Sequence, residues 1–146
     1  MLVSLSGERE AGGDMKKKCI DLAEIRAIRA VLGKSQREMA QLLGISIRAV
    51  QSYEQGWRPV PPTVQRLAGV LMMTIRRHGR PAGAPCWKVR DCPPVDRADC
   101  FAYEVRAGEF CWALTGTRCG EKDHPQWEKK IHHCMDCSVM SRWLYA

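Results

Sequence analysis

Apolar residues recur at intervals of three and four along the first half of the chain, which is the spacing of one face of a helix. Glycines and prolines divide this pattern into four stretches, so helices are predicted over residues 21–33, 35–44, 46–56 and 63–78. Asp21 is expected to cap the first of them. After residue 85 neither a helical nor a strand period persists, which predicts short loops between cysteines. The pattern thus predicts an all-α N-terminal region followed by a small, irregular one.

The second and third predicted helices carry the clearest local signals. Ser35 and Glu38 have the spacing of a capping box, in which the first donors of a helix are satisfied reciprocally. Gly44 can adopt the left-handed backbone of a sharp turn, and Ser46 opens the next helix. Two short helices joined by a three-residue turn are typical of a helix-turn-helix.

The third predicted helix has a polar outer face. With Ile45 and Val50 assigned to the core, the outward positions are Ile47, Arg48, Gln51, Ser52 and Gln55. Arginine can bind guanine bidentately, glutamine suits adenine, and isoleucine can contact a thymine methyl. This helix is therefore predicted to read bases in the major groove of double-stranded DNA. Glu54 is predicted to pair with an arginine of the first helix.

The S-Q-x-E-x-A opening at Ser35, the L-G-I-S turn and the Y-E-x-G ending at Gly56 resemble the pattern of Cro/lambda-repressor-like (XRE) DNA-binding domains. The resemblance covers residues 21–78 and implies a compact domain of four or five helices that binds inverted repeats as a homodimer. It also implies phosphate contacts for a glutamine at the start of the second helix and an arginine after the third. The full set of predicted DNA-binding residues is Gln36, Arg37, Ser46, Ile47, Arg48, Gln51, Ser52 and Arg58.

The charge distribution favours a polyanion as the partner of the first region. The formal net charge of the chain is +7. Residues 1–80 hold 14 Lys and Arg against 7 Asp and Glu, whereas residues 81–146 hold nine of each. All of the excess positive charge therefore accompanies the predicted helix-turn-helix. Residues 1–20 are predicted to be a flexible basic leader.

Seven of the eight cysteines follow a linker of turn-forming residues at 79–85. The sequence shows no signal peptide and no apolar run of membrane length, so a cytoplasmic location is expected, where thiols stay reduced. Clustered cysteines are then more typical of metal or redox sites than of disulfides. The predicted metal ligands are Cys86, Cys92, Cys100, Cys111, Cys119, Cys134 and Cys137.

The segments CWKVRDCP, CWALTGTRC and KKIHHCMDCSVM resemble the two-CW domain of bacterial signalling and regulatory proteins, over residues 86–140. This resemblance implies a domain but no settled function. The region has few aliphatic residues for a core of its own, which predicts that a metal stabilises it. Four tryptophans are expected either to shield such a centre or to pack around it: Trp87, Trp112, Trp127 and Trp143.

Two kinds of metal centre remain open. An iron–sulfur cluster would use four cysteines. Zinc would use four Cys or His ligands, with His124, His132 and His133 available. The wide cysteine spacings fit a two-knuckle zinc ribbon poorly, which favours an iron–sulfur cluster. Disulfides or a metal-free thiol switch remain alternatives.

The sequence therefore predicts a DNA-binding transcriptional regulator with a helix-turn-helix at 21–78 and a metal-binding region at 86–140 that senses redox state. One alternative is a regulator whose zinc region is structural and serves protein interaction. Another is a small thiol oxidoreductase that uses Cys134 and Cys137. The sequence contains no recognisable catalytic motif, so no enzyme activity, small-molecule substrate or membrane partner is predicted.

Overall fold

The computed structural model describes residues 20–81, 83–119 and 122–144. Apart from Ile20, the predicted basic leader lies outside this part of the chain. The first half of the described chain contains the helices α1 (Ile25–Leu32), α2 (Gln36–Leu43), α3 (Ile47–Glu54) and α4 (Pro62–Arg77). The prediction of helices in these four stretches is confirmed.

The start of α1 differs from the prediction. This helix begins at Ile25 instead of residue 21, and Asp21 does not cap it. The Asp21 carboxylate accepts a hydrogen bond from the Ala23 N–H (2.9 Å), and the Asp21 carbonyl accepts one from the Glu24 N–H (2.9 Å). Asp21 therefore closes a turn that precedes the helix, as aspartate side chains commonly do.

Capping explains the boundaries of α2 and α3. Ser35 Oγ accepts from the Glu38 N–H (3.2 Å), and the Glu38 carboxylate accepts from the Ser35 N–H (2.8 Å), which confirms the capping box. Gly44 ends α2 with a φ of 67°, a left-handed conformation that a side chain would disfavour. Ser46 Oγ then accepts from the Ala49 N–H (3.1 Å) and starts α3.

The cysteine-rich region is built from short helices, which corrects the prediction of loops between cysteines. It contains α5 (Cys86–Val89), α6 (Pro94–Ala98), α7 (Phe101–Glu104), a 3₁₀ turn (Cys111–Ala113), α8 (Trp127–Met135) and α9 (Ser138–Leu144). Strands β1 (Thr117–Cys119) and β2 (Lys122–His124) pair antiparallel, with Thr117 opposite His124. Helices of four or five residues are too short to show a 3.6-residue period, so the sequence pattern could not predict them.

One hydrophobic core joins the two regions. Trp112, Trp127 and Trp143 of the cysteine-rich region lie in the same buried cluster as Leu22 and Met72. Helix α4 contacts α1 and α2, and it also contacts α9 and the 3₁₀ turn. The cysteine-rich region therefore compensates for its few aliphatic residues by burying aromatic side chains against α4.

Polar bonds and a close backbone approach reinforce this junction. Arg66 Nε, on α4, donates to the Ala113 carbonyl (2.6 Å), and Trp127 Nε1 donates to Gln65 Oε1 (3.3 Å). Gly69 lies where the Trp112 ring meets α4. A Cβ at this position would lie 2.6 Å from Trp112 Cζ3, so only glycine lets the ring pack this closely.

No helix in the described part of the chain is long and apolar enough to cross a membrane.

Candidate nucleic-acid interface and thiol-lined cavity

Glu54, the last residue of α3, joins the first three helices by hydrogen bonds. Arg29 of α1 donates from Nε to Glu54 Oε1 (2.6 Å) and from Nη2 to Oε2 (3.1 Å), and Gln36 of α2 donates from Nε2 to Oε2 (3.0 Å). The Glu54 side chain has no exposed area. Burial by itself raises the pKa of Glu54, but the bonds from Arg29 and Gln36 hold that pKa below its usual value. The predicted pairing of Glu54 with an arginine of the first helix is confirmed.

Gln36 also links this network to the outer face of α3. Gln51 Nε2 donates to Gln36 Oε1 (3.4 Å), while the other end of the Gln36 amide bonds Glu54. Gln36 is therefore engaged within the protein, in addition to the phosphate contact that the sequence predicts for it. The hydrogen bond to Gln36 therefore restricts the conformations that the Gln51 side chain can adopt.

The predicted DNA-binding residues lie on the first turn of α2, along α3 and just after it. Ile47, in the first turn of α3, keeps 40% of its surface exposed although it is apolar. The exposed members of the set are Arg37, Ser46, Ile47, Arg48 and Arg58, and the half-buried members are Gln36, Gln51 and Ser52. A helix face that presents arginine, glutamine and serine beside a free apolar side chain offers the groups that read base edges.

The segment after α3 carries Arg58, from the predicted set, and Trp57, which is not in that set. Gly56 has a φ of 74°, and the Trp57 N–H donates to the Ser52 carbonyl (2.9 Å), so a helix-terminating turn fixes the backbone here. The Arg58 guanidinium lies 5.4 Å from the centroid of the Tyr53 ring. Trp57 is 72% exposed, more than any other large apolar side chain in the described chain. Trp57 is not among the predicted DNA-binding residues, although its position next to Arg58, directly after α3, was a signal for a surface role.

A comparison with protein families identifies the first region. Residues 25–72 match the family model described as Helix-turn-helix. The match spans α1 to α3 and most of α4, which are the helices that build and support the polar surface. The predicted helix-turn-helix is thereby confirmed, and the match indicates a DNA-binding regulator. Comparisons with the curated proteins and with the solved structures gave no match.

Beyond the helix-turn-helix domain, the seven cysteines between Cys86 and Cys137 line one cavity of about 340 Å³. Cys86 begins α5, Cys111 begins the 3₁₀ turn, and Cys134 lies near the end of α8, so separate short helices present the thiols. The structure thus places all of the predicted metal ligands in the lining of one cavity, which is called the cavity wall below. Other residues on that wall are Trp87, Arg90, Arg97, Arg118, Lys130 and His133.

The thiols do not form a ready-made site for a single ion. Among the described residues, no three Cys, His, Asp or Glu side chains are placed to hold one metal ion. The seven cysteines are free thiols, of which Cys100, Cys134 and Cys137 are buried and the other four are half-buried. Zinc needs four donors around one point, with sulfur at about 2.3 Å. A preformed mononuclear zinc site therefore does not fit this arrangement.

The pair formed by Cys134 and Cys137 lacks the features of a catalytic dithiol. Burial raises the pKa of the Cys134 thiol to about 12. A hydrogen bond between the Cys86 and Cys111 thiols lowers the pKa of Cys86 and raises that of Cys111. A thiol oxidoreductase needs an accessible cysteine with a lowered pKa. Cys134 and Cys137 are both buried, so the geometry of this pair does not favour that alternative.

The histidines and tryptophans are divided between this wall and other surroundings. His133 lies on the cavity wall, and its ring stacks on that of His124 with centroids 5.0 Å apart. His124 Nε2 lies 3.3 Å from the Cys119 carbonyl oxygen, and His132 is exposed. Of the four tryptophans that were expected to surround the centre, Trp87 lies on the wall and the other three belong to the shared core.

The cavity also contains charged residues that the sequence analysis did not select. Lys130 lies on the wall and is buried, and Arg118 Nε lies 3.0 Å from Asp96 Oδ1 in an ion pair at the cavity. A lysine within a polar helix is normally solvent-exposed. The spacing did carry a signal for Lys130, because it shares one helical stripe with the apolar Trp127, Ile131 and Cys134.

Proposed function

We propose that the protein is a sequence-specific transcriptional regulator that binds double-stranded DNA through α3 and the first turn of α2. The observation that carries this proposal is the outer face of α3, where Ile47 and Arg48 are exposed and Gln51 is oriented by Gln36. These side chains can contact base edges in the major groove, where each base pair presents a distinct pattern of donors, acceptors and methyl groups.

Phosphate contacts would hold this helix in register. Arg37, exposed in the first turn of α2, is suited to a phosphate, because the N-terminus of a helix also attracts anions. Arg58 is positioned beside the Tyr53 ring after α3, and the exposed Trp57 can donate its indole N–H to the DNA backbone. These contacts position the protein, whereas Arg48 and Gln51 select the sequence.

A homodimer is part of the proposal. One recognition helix reads only a few base pairs, and helix-turn-helix dimers bind two half-sites that are roughly 34 Å apart, or one turn of DNA. The operator is therefore expected to be an inverted repeat. Sedimentation of the protein with and without a selected duplex measures the number of chains bound.

Binding-site selection from random duplexes, followed by affinity measurements on two arginine variants, tests the DNA-binding proposal. Arg48→Ala is expected to cost about 1–3 kcal/mol and to relax the preference at one base position. Arg58→Ala is expected to weaken all duplexes by a similar factor and to reduce the salt dependence by about one counterion. Arg106→Ala, which removes the same charge from an exposed site in the cysteine-rich region, is the control.

Three results would contradict parts of the DNA-binding proposal. If no duplex sequence is enriched, sequence-specific binding is wrong. If Arg48→Ala weakens every duplex equally, Arg48 contacts the backbone and the base assignment fails. If Arg58→Ala changes the sequence preference, the phosphate assignment of Arg58 fails.

We further propose that the thiol-lined cavity holds a metal centre, with an iron–sulfur cluster as the preferred candidate, and that the state of this centre changes DNA affinity. The support is the arrangement of seven thiols around one cavity and the core shared through α4. Trp112 and Trp143 pack against the helix-turn-helix domain, so a rearrangement of the cysteine-rich region would displace α4. A bound cluster would supply one-electron redox chemistry.

Purification without oxygen, with iron, sulfide and zinc analysis, tests the nature of the centre. Iron with sulfide and a visible absorption band is the expected result. A colourless protein with zinc would favour the alternative of a structural region that serves protein interaction. If removal of the metal leaves operator affinity unchanged, the redox-sensing part of the proposal is wrong while DNA binding stands.

A further inference from the structure

Lys130 carries a charge into the interior of the cysteine-rich region. Its side chain is 1% exposed. The ammonium donates to Thr117 Oγ1 (2.6 Å) and to the backbone carbonyls of Cys111 and Leu114. All three acceptors are neutral groups. The carbonyls and the hydroxyl satisfy the donors of Lys130, but they do not balance its charge.

A buried ammonium without a counter-charge is costly. Removing such an ion from water costs several kcal/mol even after relaxation, and buried lysines in proteins are normally paired. Among the described residues no carboxylate forms an ion pair with Lys130.

The other charged groups of the cavity wall do not supply that counter-charge. Taking the thiols as neutral, the wall holds four cations (Arg90, Arg97, Arg118 and Lys130) and two carboxylates (Asp91 and Asp96), and Arg118 Nη1 also lies 3.7 Å from Asp99 Oδ2, so one positive charge remains in excess. Asp96 is already paired with Arg118. A wall with this balance attracts an occupant with negative charge.

We propose that the cavity holds an anionic, polynuclear metal–thiolate centre and that Lys130 is its buried counter-charge. This inference rests on the proposed metal centre and specifies its class. Each cysteine that binds a metal loses its proton to solvent and contributes one negative charge, so four thiolates leave a net negative charge on a divalent ion. Such a centre provides the counter-charge that Lys130 lacks among the described residues.

The spread of the thiols is the reason to infer more than one metal. No three donors in the described chain are placed around one ion, yet seven thiols face the same cavity of about 340 Å³. Seven thiols also exceed the four ligands that one zinc ion takes. An iron–sulfur cluster shares four cysteines among its irons, so it does not need three protein donors around one ion.

Lys130 acts as a positioning residue in this arrangement, not as a ligand. Its ammonium bonds two carbonyls and one hydroxyl, so its charge stays at a fixed place in the lining that it shares with the Cys111 and Cys134 thiols. A fixed positive charge stabilises the more negative state of a centre. It therefore raises metal affinity and, in a redox-active centre, raises the reduction potential.

The test uses the full chain, prepared without oxygen and loaded in parallel with ferrous iron plus sulfide or with zinc alone. Metal and sulfide per chain are measured for the wild type first. More than one metal ion per chain, bound in a thiol-dependent way, is the expected result. Binding of a single ion per chain, or of none, overturns the polynuclear centre without affecting duplex binding, which is measured on the same preparations.

Three variants then test the role of Lys130. Lys130→Met removes the charge at nearly constant length, and Lys130→Arg retains the charge. Lys129→Met changes the exposed neighbour on α8 and is the matched control. Lys130→Met is expected to weaken metal affinity roughly 10–100-fold in competition with a chelator, and to lower the reduction potential if the centre is redox-active. Lys130→Arg is expected to restore affinity towards the wild type.

Two results would overturn the counter-charge role. One is a Lys130→Met protein with wild-type metal affinity and wild-type potential. The other is an equal loss in Lys130→Met and Lys130→Arg, which would show that packing and not charge matters. If Lys130→Met fails to fold, Lys130→Gln, which can still donate to the Cys111 carbonyl, takes its place in the same comparison.

Discussion

The helix-turn-helix domain and the cysteine-rich region are stabilised in different ways, although they share one core. In the first, contacts close in sequence set where the helices begin: the Ser35 and Ser46 caps each act over three residues. In the second, defining contacts reach far along the chain, as between Arg66 and Ala113 or between Gln65 and Trp127. The first region thus has local instructions for its helices, while the second takes its form from packing against the first.

The two regions also treat buried charge differently. Glu54 is buried with the arginine that neutralises it, so its network is complete within the domain. Lys130 is buried with neutral acceptors and beside thiols. The first region therefore balances its buried charge internally, whereas Lys130 has no carboxylate partner among the described residues.

The largest expected effect comes from Trp112→Ala, which tests the shared core. Loss of this side chain, 2% exposed, is expected to destabilise the protein by about 3–5 kcal/mol. Both regions are expected to unfold in one transition, because α4 belongs to both. Urea unfolding followed by circular dichroism measures the change. Trp57→Ala, the same substitution at the 72% exposed site, is the control and is expected to leave stability almost unchanged.

Separate unfolding transitions for the two regions would contradict the shared core. If Trp112→Ala shifted only one of two unfolding steps, each region would have an independent core.

Glu54→Ala is expected to cost about 3 kcal/mol, because it leaves Arg29 and Gln36 without their buried acceptor. The loss is expected to lower DNA affinity as well, since Gln36 would no longer be held against Gln51. Chemical unfolding and duplex titration measure the two effects. Glu128→Ala, at an exposed glutamate of α8, is the control. A loss as small as that of Glu128→Ala would show that the Glu54 network is dispensable.

Acidification tests the same network without truncating a side chain. The pKa of Glu54 is lowered in the folded protein, so its contribution is fully present above its unfolded pKa and is lost as the pH falls through the folded value. Wild-type stability is therefore expected to fall below about pH 5 more steeply than that of Glu54→Gln. Unfolding curves collected across this pH range compare the slopes, and equal slopes would contradict the assigned role.

Gly69→Ala has the smallest expected effect, a loss of about 1–3 kcal/mol. The added methyl group would lie within 3 Å of two atoms of the buried Trp112 ring, which outweighs the better helix propensity of alanine. Thermal unfolding measures the change. Thr74→Ala, on the exposed side of the same helix, is expected to stay within about 0.5 kcal/mol of the wild type. A stabilised Gly69→Ala would show that Trp112 can move away from α4 at little cost.

The sequence predicted the first region well, because its signals are local. The capping box at Ser35 and the turn at Gly44 were readable from residue types at fixed spacings, whereas the pairing of Glu54 with Arg29 spans 25 residues. The start of α1 was predicted too early, since an aspartate can close a turn as well as cap a helix. The four- and five-residue helices of the cysteine-rich region were missed because so few residues cannot establish a period. Helix α8 was missed although Trp127, Ile131 and Cys134 have helical spacing.

What the sequence by itself determined is the helix-turn-helix, the outward face of α3 and the presence of seven thiols in one region. Only the tertiary structure placed those thiols around one cavity, packed Trp112 onto Gly69 and gave the Lys130 ammonium its neutral acceptors. The physical reason is range. Caps and turns depend on neighbours three or four residues away, whereas a cavity wall and a shared core depend on which distant segments meet, and no residue spacing records that.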